Sequence, residues 1–399
     1  MKKIGLLLAI LSVVFSLILM GTAPLSPSSA ATGGVIKIGH IRPLTGNMAA
    51  TSNLMVKAFD LAFKQINYQV AGKQIQIIVG DSQGLPQTAV DVAKKMVEND
   101  KVAMIIGPTN VNEDLAVAGY MNQMGIPHIL SSQMPMEQIT SNQWCFGLGG
   151  TIPQISSVMG AYTYEKLGYK KINVLTVDNA SGRTICTPFM NAFKSRGGQI
   201  VQEQYVTVPC QDFAPYLTVM KDADAVAAWT SGADSIKFLI QYHEMGIGKR
   251  FPLVGIFHGA FFSPFILKAL PPAAADALIG ALVPTPYSPL IDTAVNKKFV
   301  PAMQAHVGVI PDDTESNPYQ AALIMIEALK ATGGDTTPVK LRQALIASTS
   351  IEGPQGIFKF DQKSMSLIMS VYINKIVKQG SDYLWQPVYT YHDVPPRGL

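Results

Sequence analysis

Hydrophobic positions along the chain alternate between two repeating patterns, a short β-type run and a longer helical spacing. Runs rich in Ile and Val, such as VIKIGHI (35–41) and KVAMIIG (101–107), are typical of strands. Between them, apolar residues recur three and four positions apart, as at Leu54, Ala58 and Leu61, which places them on one helix face. Because strands that alternate with helices form parallel sheets covered on both faces, the pattern predicts an α/β fold.

The alternation begins a second time after residue 150, so the chain carries two α/β units of similar build. The strands predicted in the first unit are 35–41, 74–80, 101–107 and 126–130. Those predicted in the second unit are 171–177, 199–206, 224–229 and 251–257. Near the C-terminus, β runs separated by turns indicate antiparallel strands at 356–361, 367–377 and 383–391. The sequence therefore predicts two doubly wound parallel-sheet lobes with a ligand crevice between them.

The first 31 residues have the composition of a secretory leader. Lys2 and Lys3 precede an apolar run over residues 4–20, and small residues follow a Ser/Pro stretch at Ala30 and Ala31. A charged start, an apolar centre and a small-residue exit are typical of a signal peptide. We therefore expect residues 1–31 to be cleaved and the protein to be periplasmic or otherwise extracytoplasmic. A retained membrane anchor is the alternative, since the apolar run is at the lower edge for a span.

Composition and charge exclude several classes of function. A chain of 399 residues that is 48% hydrophobic is long enough for two domains. The net charge is +4, and its 31 basic and 27 acidic residues are interspersed, which does not favour nucleic acid as a partner. The sequence has no zinc-type spacing, phosphate loop or nucleophile elbow. We therefore expect no cofactor, no metal and no catalysis, and keep a secreted enzyme as the third hypothesis.

Export permits a disulfide among the three cysteines, Cys145, Cys186 and Cys210. Cys186 and Cys210 are 24 residues apart, a separation that fits the matching ends of one helix–strand unit. We therefore predict a bond between these two, which leaves Cys145 as a free, buried thiol.

A set of short motifs follows along the chain in a recognisable order and spacing. The motifs are IKIGHIRPLTG (36–46), GD (80–81), TAV (88–90), IIGP (105–108), GIP (125–127), SS (131–132), NPYQAALIMIEALKATGGD (317–335) and IEGPQGIFKFD (351–361). Together they resemble the type I periplasmic binding proteins, specifically the branched-chain amino-acid-binding family of ABC transporters. The resemblance covers essentially the whole mature chain and is specific for the fold family, though not for the ligand.

Members of this family cross three times between their lobes. The resemblance places the crossings near 147–152, 280–287 and 353–357, where Gly and Pro residues suit a hinge. It implies that lobe one consists of 34–148 plus 283–353. It implies that lobe two consists of 151–280 plus 357–399.

The resemblance also implies a function in transport. Such a protein encloses a small-molecule solute between its lobes and docks transiently on an ABC permease of the inner membrane. We expect a monomer with no nucleic-acid partner. A ligand sensor of the same fold, of the amide-responsive kind, is the alternative, although such sensors often lack an export signal.

On lobe one, the resemblance places a ligand carboxylate against two loops. The matching residues are Thr109, Asn110 and Val111, and then Ser131, Ser132 and Gln133. Hydroxyls, amides and free N–H groups can hold an anion without a buried positive charge. Further candidates are Thr51 and Ser52 at the cleft lip, and Arg42 as a partner for a carboxylate. The alternatives are a helix cap formed by the Asn110 loop and a solvated Arg42 side chain.

On lobe two, the sequence departs from the family pattern. Amino-acid binders of the family place an acidic residue where this chain has Phe257 and His258. Because a buried ammonium without a carboxylate partner is costly, we expect an apolar or amphipathic solute. An aromatic or aliphatic carboxylate fits, as does a hydrophobic amino acid held in another way. The candidate contacts are Ser181, Trp229, Ser231, Phe257 and His258, with a place in the lobe core as the alternative for the aromatic side chains.

Overall fold

The structure is a computed structural model that describes residues 33–132, 143–258, 261–348 and 350–399. The predicted signal peptide and the candidate contact Gln133 lie outside the described residues. Within them the chain forms two α/β units, each on its own sheet, which confirms the predicted two-lobed fold. No helix in the described part of the chain is long and apolar enough to cross a membrane.

The first sheet has six strands in the order β2-β3-β1-β4-β5-β6, and all neighbours are parallel except β2 and β3. The strands are β1 (Gly33–Arg42), β2 (Gln69–Val70), β3 (Lys73–Asp81), β4 (Met104–Ile106), β5 (His128–Leu130) and β6 (Cys145–Gly147). The helices between them are α1 (Ala49–Gln65), α2 (Pro86–Lys94) and α3 (Val111–Met124). Because β1, β4 and β5 are parallel neighbours, the loops that follow them meet at one edge of the sheet.

The second unit repeats this build with β7 to β11. The strands are β7 (Lys171–Val177), β8 (Gln199–Val206), β9 (Ala225–Trp229), β10 (Leu253–Gly255) and β11 (Leu282–Thr285). The helices are α4 (Ile152–Glu165), α5 (Ala180–Lys194), α6 (Ala214–Thr218), α7 (Ala233–Glu244), α8 (Pro264–Ala269) and α9 (Pro272–Asp276). Strands β7, β8, β9, β10 and β11 pair in parallel, in the order β11-β10-β9-β7-β8.

The C-terminal part contributes to both units. Its helices are α10 (Ala294–Val307), α11 (Asp313–Ala331) and α12 (Pro338–Ala347). Its strands are β12 (Ile351–Gly353), β13 (Gly356–Phe360), β14 (Leu367–Gln379) and β15 (Asp382–Val394). Strand β14 pairs antiparallel with β11, β13 and β15, which confirms the predicted change to antiparallel strands.

Separate hydrophobic cores cover the two sheets, and the two largest lie one on each sheet. The first core contains Ile38 of β1, Phe59 of α1 and Met325 of α11, so α11 packs back on the first sheet. The second core contains Val174 of β7 and Trp229 at the end of β9. Because α11 returns to the first lobe after the chain has built the second, its N-terminal end reaches the loops of the first sheet.

The predicted disulfide between Cys186 and Cys210 is wrong, because both residues are free thiols. Cys186 belongs to α5 and is buried in the second core. The Cys210 thiol donates to the carbonyl oxygen of Asp212 at 3.3 Å, and the Cys210 backbone N–H donates to Asp234 of α7. These bonds hold Cys210 beside α7 and leave Cys186 within the packing of α5. Cys145 is a buried free thiol, as predicted.

The turn after β4 requires a glycine. Gly107 has φ of 89°, and a Cβ at this position would lie 2.2 Å from the carbonyl oxygen of Ile41. Only glycine accepts both this backbone conformation and the close approach of β1. The loop that follows β4 is therefore held tightly against the end of β1.

Candidate functional site

A cavity of about 420 Å³ lies where the loops after β4 and β5 meet α1 and α11, a volume typical of small-molecule sites. Its lining residues are Thr51, Met55, Thr109, Asn110, Val111, Ser131, Ser132, Asp313, Thr314 and Asn317. The structure thus brings together both loops that the sequence singled out on lobe one. The wall supplies hydroxyls, amides and one carboxylate, with Met55 and Val111 as its apolar part.

The N-terminus of α3 opens onto this cavity. Asn110 is its N-cap residue, and the Asn110 side-chain oxygen accepts a hydrogen bond from the N–H of Glu113 at 3.0 Å. Asn110 therefore caps the helix, as the alternative interpretation proposed, and also lines the cavity. The N–H groups of the first helical turn have no carbonyl partner within the helix, and the macrodipole makes this end positive. Such an end favours an anion.

Arg42 lies beneath the cavity wall, since its side chain is 0% exposed. It is neither a solvated surface charge nor part of the cavity lining. Its Nε donates to His40 Nε2 at 2.8 Å, and its terminal nitrogens donate to Pro108 O at 2.8 Å. They also donate to Thr109 Oγ1 at 3.2 Å and to Ser131 Oγ at 2.8 Å. One guanidinium group therefore connects β1 to the loop after β4 (109–111) and the loop after β5 (131–132), the first and second ligand loops.

The charge on Arg42 is balanced by carboxyl groups at the start of α3. Burial lowers the pKa of Arg42 to about 10, against the opposite influence of Asp114 and Glu113. Burial raises the pKa of Asp114 to about 7, although Ser132 donates to Asp114 through both its N–H and its hydroxyl. Arg42 thus remains charged at neutral pH, and the Ser132 hydroxyl is committed to Asp114.

The second lobe reaches the cavity through His258. His258 follows β10 and is only 2% exposed, and its Nδ1 lies 2.9 Å from Oδ2 of Asp313, the first residue of α11. Asp313 lines the cavity from the first lobe. This pair therefore joins the two lobes at the rim of the site.

Four lining residues were not predicted from the sequence: Met55, Asp313, Thr314 and Asn317. Three of these belong to the first turns of α11, for which the hydrophobic pattern predicts a helix over 317–331 and so omits its first four residues. A signal was present, because Asp312 and Glu315 form a capping box that marks the true helix start. The Asn317 side-chain amide donates to the carbonyl oxygen of Ser131 at 3.3 Å, which ties α11 to the second ligand loop.

The other predicted contacts do not line this cavity. Ser52 is fully buried in α1. Ser181 is exposed in the first turn of α5, and Ser231 is half-buried between β9 and α7. Trp229 and Phe257 are buried in the second core, as the alternative interpretation proposed. Ser181 follows β7, Trp229 and Ser231 lie at the end of β9, and Phe257 follows β10. These four residues therefore share the carboxyl edge of the second sheet.

The family described as "Periplasmic binding protein" matches residues 35–381 of this chain. The chain belongs to that family. One similar structure is an ABC transporter substrate-binding protein from Sphaerobacter thermophilus, 28% identical with a TM-score of 0.83 over 90% of this chain and 98% of that one. Another, from Rhodopseudomonas palustris BisB5, is a solute-binding protein in complex with 3,4-dihydroxy benzoic acid. It is also 28% identical, with a TM-score of 0.79 over 91% and 98% of the two chains.

A curated relative supports the same placement. The Leu/Ile/Val-binding protein homolog 6 of Brucella melitensis is 23% identical over 381 residues, which cover 93% of this chain and 95% of that protein. Periplasmic binding proteins of this kind are substrate-binding components of ABC transporters and not enzymes. The predicted class of function is therefore confirmed.

Proposed function

We propose that this periplasmic binding protein is the receptor of an ABC importer for small carboxylic acids with an apolar, preferably aromatic, body. The observation that carries the proposal is the donor set on the first lobe. The positive end of α3 and the hydroxyls of Thr109 and Ser131 converge on one cavity. These groups suit a carboxylate, because hydrogen bonds to a charged acceptor are roughly twice as strong as neutral ones.

The opposite side of the cavity argues against a plain α-amino acid. Asp313 is the one carboxylate that lines the cavity within the described residues, and it already lies beside His258. A ligand ammonium would have to share this carboxylate with His258. An uncharged ring makes no such demand, so an aromatic acid fits the site at lower cost.

The second lobe offers suitable groups for an aromatic body. Trp229 ends β9 and is 7% exposed, and its Nε1 has no hydrogen-bond partner among the described residues. We propose that Trp229 and Phe257, at the carboxyl edge of the second sheet, cover the ring in the ligand-bound protein, and that the Trp229 N–H donates to a polar ring substituent. The Rhodopseudomonas palustris relative that binds 3,4-dihydroxy benzoic acid supports this choice of ligand.

The remaining predictions complete the proposal. Residues 1–31 direct export and are cleaved, so the mature receptor works in the periplasm. It works there as a monomer. The proposed lobe one consists of 34–148 plus 283–353, and the proposed lobe two of 151–280 plus 357–399, with β11, which pairs within the second sheet, at the second crossing between them. The lobes close about the connections between them, and the closed form docks on the permease.

The test is a calorimetric titration of the exported protein, purified and stripped of ligand by unfolding and refolding. The panel consists of benzoate, 4-hydroxybenzoate, 3,4-dihydroxybenzoate, butyrate, leucine and isoleucine. We expect an aromatic acid to bind at least roughly tenfold more tightly than either amino acid. Tighter binding of leucine or isoleucine than of every other acid would contradict the proposed ligand class.

A further inference from the structure

We propose that Arg42 selects anionic ligands without touching them, because it fixes the hydroxyls of Thr109 and Ser131 as hydrogen-bond donors toward the cavity. This inference rests on the proposed function only in requiring that the ligand carry an acid group at this wall. It assigns a role to a residue that the ligand cannot reach.

The geometry excludes direct contact between Arg42 and a solute. The Arg42 side chain is 0% exposed and is absent from the cavity lining. Its acceptors are His40, Pro108, Thr109 and Ser131, and only the last two line the cavity. Any influence of the guanidinium on a ligand therefore passes through these two side chains.

Hydroxyl chemistry then fixes the direction of the influence. A hydroxyl group has one donor and two acceptor positions, and its proton rotates to suit its surroundings. Arg42 donates to Thr109 Oγ1 and Ser131 Oγ, so each hydroxyl must turn its own proton elsewhere. Among the described residues, neither hydroxyl donates to another protein group. Both O–H groups therefore point into the cavity, where they can donate to a carboxylate oxygen.

The guanidinium charge also strengthens these donors. A hydroxyl whose oxygen accepts from a cation is polarised, and it donates more strongly to a second acceptor in the chain. An acid gains from this arrangement more than its neutral amide, because both carboxylate oxygens can accept from the two hydroxyls, whereas the NH₂ group of an amide cannot accept and leaves one O–H without an acceptor.

Ser132 provides an internal contrast to Ser131. Both serines line the cavity, and they are neighbours in the same loop. The Ser132 hydroxyl donates to Asp114, whereas the Ser131 oxygen accepts from Arg42. The Ser131 proton is thus available to a ligand and the Ser132 proton is not. Loss of the Ser131 hydroxyl should therefore reduce the preference for an acid more than loss of the Ser132 hydroxyl does.

The experiment measures selectivity between matched acid and amide pairs, benzoate with benzamide and leucine with leucinamide. Calorimetric affinities are compared for the exported wild type, Arg42→Gln, Arg42→Lys, Ser131→Ala, Ser132→Ala and the double variant Thr109→Val/Ser131→Ala. Each Arg42 variant is also combined with the double variant. The exposed Arg250→Gln serves as the control for loss of a positive charge.

We expect each folded Arg42 variant to lose at least roughly tenfold in its preference for the acid over the amide. The same Arg42 change should have little effect where Thr109 and Ser131 already lack hydroxyls. Arg250→Gln should keep the wild-type preference, and Ser132→Ala should lose less of it than Ser131→Ala does. Arg42→Lys cannot reach both loops with a single ammonium group, so it carries the test if Arg42→Gln does not fold.

Other outcomes separate the two proposals. Equal losses for acid and amide would reduce Arg42 to a structural role and overturn this inference. An undiminished effect of Arg42 in the hydroxyl-free protein would overturn it as well, as would a wild type that binds no acid. If leucine is bound and benzoate is not, with the dependence on Arg42 intact, the proposed ligand class fails and the role of Arg42 stands.

Discussion

His258 Nδ1 of the second lobe lies 2.9 Å from Asp313 Oδ2 of the first, at the rim of the cavity that the ligand loops enclose. The two residues are 55 positions apart in sequence. His258 follows β10 of the second unit, and Asp313 begins α11, which packs on the first sheet. Their contact forms only when the lobes face each other at close range. It therefore couples the arrangement of the lobes to the state of the site.

Removal of either partner of this pair should weaken ligand binding by disfavouring the closed form. We expect His258→Ala and Asp313→Ala each to weaken binding roughly tenfold, about 1.4 kcal/mol, with no further loss in the double variant. Calorimetry gives the affinities, and small-angle X-ray scattering gives the closed fraction. The matched control is Asp335→Ala, which breaks the exposed pair with Lys340. Additive losses in the double variant would show that the two residues act independently.

The turn at Gly107 offers a test of how the first ligand loop is held. Gly107→Ala introduces a Cβ that meets the carbonyl oxygen of Ile41, so we expect a loss of at least about 2 kcal/mol in the free energy of unfolding. Gly308→Ala is the control, because Gly308 has φ of 86° and nothing within 4 Å of an added Cβ. It should lose about 1 kcal/mol from backbone strain alone. Equal losses in urea unfolding would mean that the close approach to Ile41 carries no cost.

The buried carboxyl of Asp114 should make stability depend on pH. Its pKa is raised from 3.8 to about 7, so between these values the folded protein binds a proton that the unfolded chain has released. The contribution of this group to stability is therefore greatest at low pH and is lost as the pH rises through about 7. Relative to Asp114→Asn, the wild type should lose up to about 4 kcal/mol in the free energy of unfolding between pH 4 and 8. Urea unfolding at pH 4, 6 and 8 measures the difference, and a value independent of pH would contradict the prediction.

Trp229 should report on the bound ligand through its fluorescence. The indole N–H of Trp229 has no partner among the described residues, whereas that of Trp385 donates to Phe262 O at 2.9 Å. A ligand that contacts Trp229 should change the emission of the wild type, and Trp229→Phe should abolish this change. Trp144→Phe should retain it, because Trp144 lies beside Gly125 and Arg342 of the first lobe. Persistence of the signal in Trp229→Phe would place the ligand away from the end of β9.

The fold was largely predictable because hydrophobic periodicity is a local property. Strands β7 and β8 have the bounds that the pattern predicted, 171–177 and 199–206. The short helices α8 and α9 were missed, since six and five residues are too few to show a helical period and each begins with a proline. The predicted disulfide failed for a related reason, because sequence spacing gives no information on where a loop directs its side chain.

The site was predictable mainly on the first lobe's own loops, besides Thr51 of α1 and His258 at the rim. Those loops follow strands, so their order along the chain implies their meeting at one sheet edge. Asp313 and Asn317 reach the same cavity from a helix that follows the entire second unit. The burial of Arg42 depends on acceptors 66, 67 and 89 positions away, which no local pattern shows. Contacts at such separations depend on tertiary packing and not on periodicity.

The most direct measurement is a crystal structure of the exported protein with the aromatic acid that it binds most tightly. The acid should occupy the space between the lobes, with its carboxylate within hydrogen-bond distance of Ser131 Oγ, Thr109 Oγ1 and the N–H of Val111. Its ring should face Trp229 and Phe257. A carboxylate turned toward the second lobe, or an acid bound outside the cleft, would contradict the account.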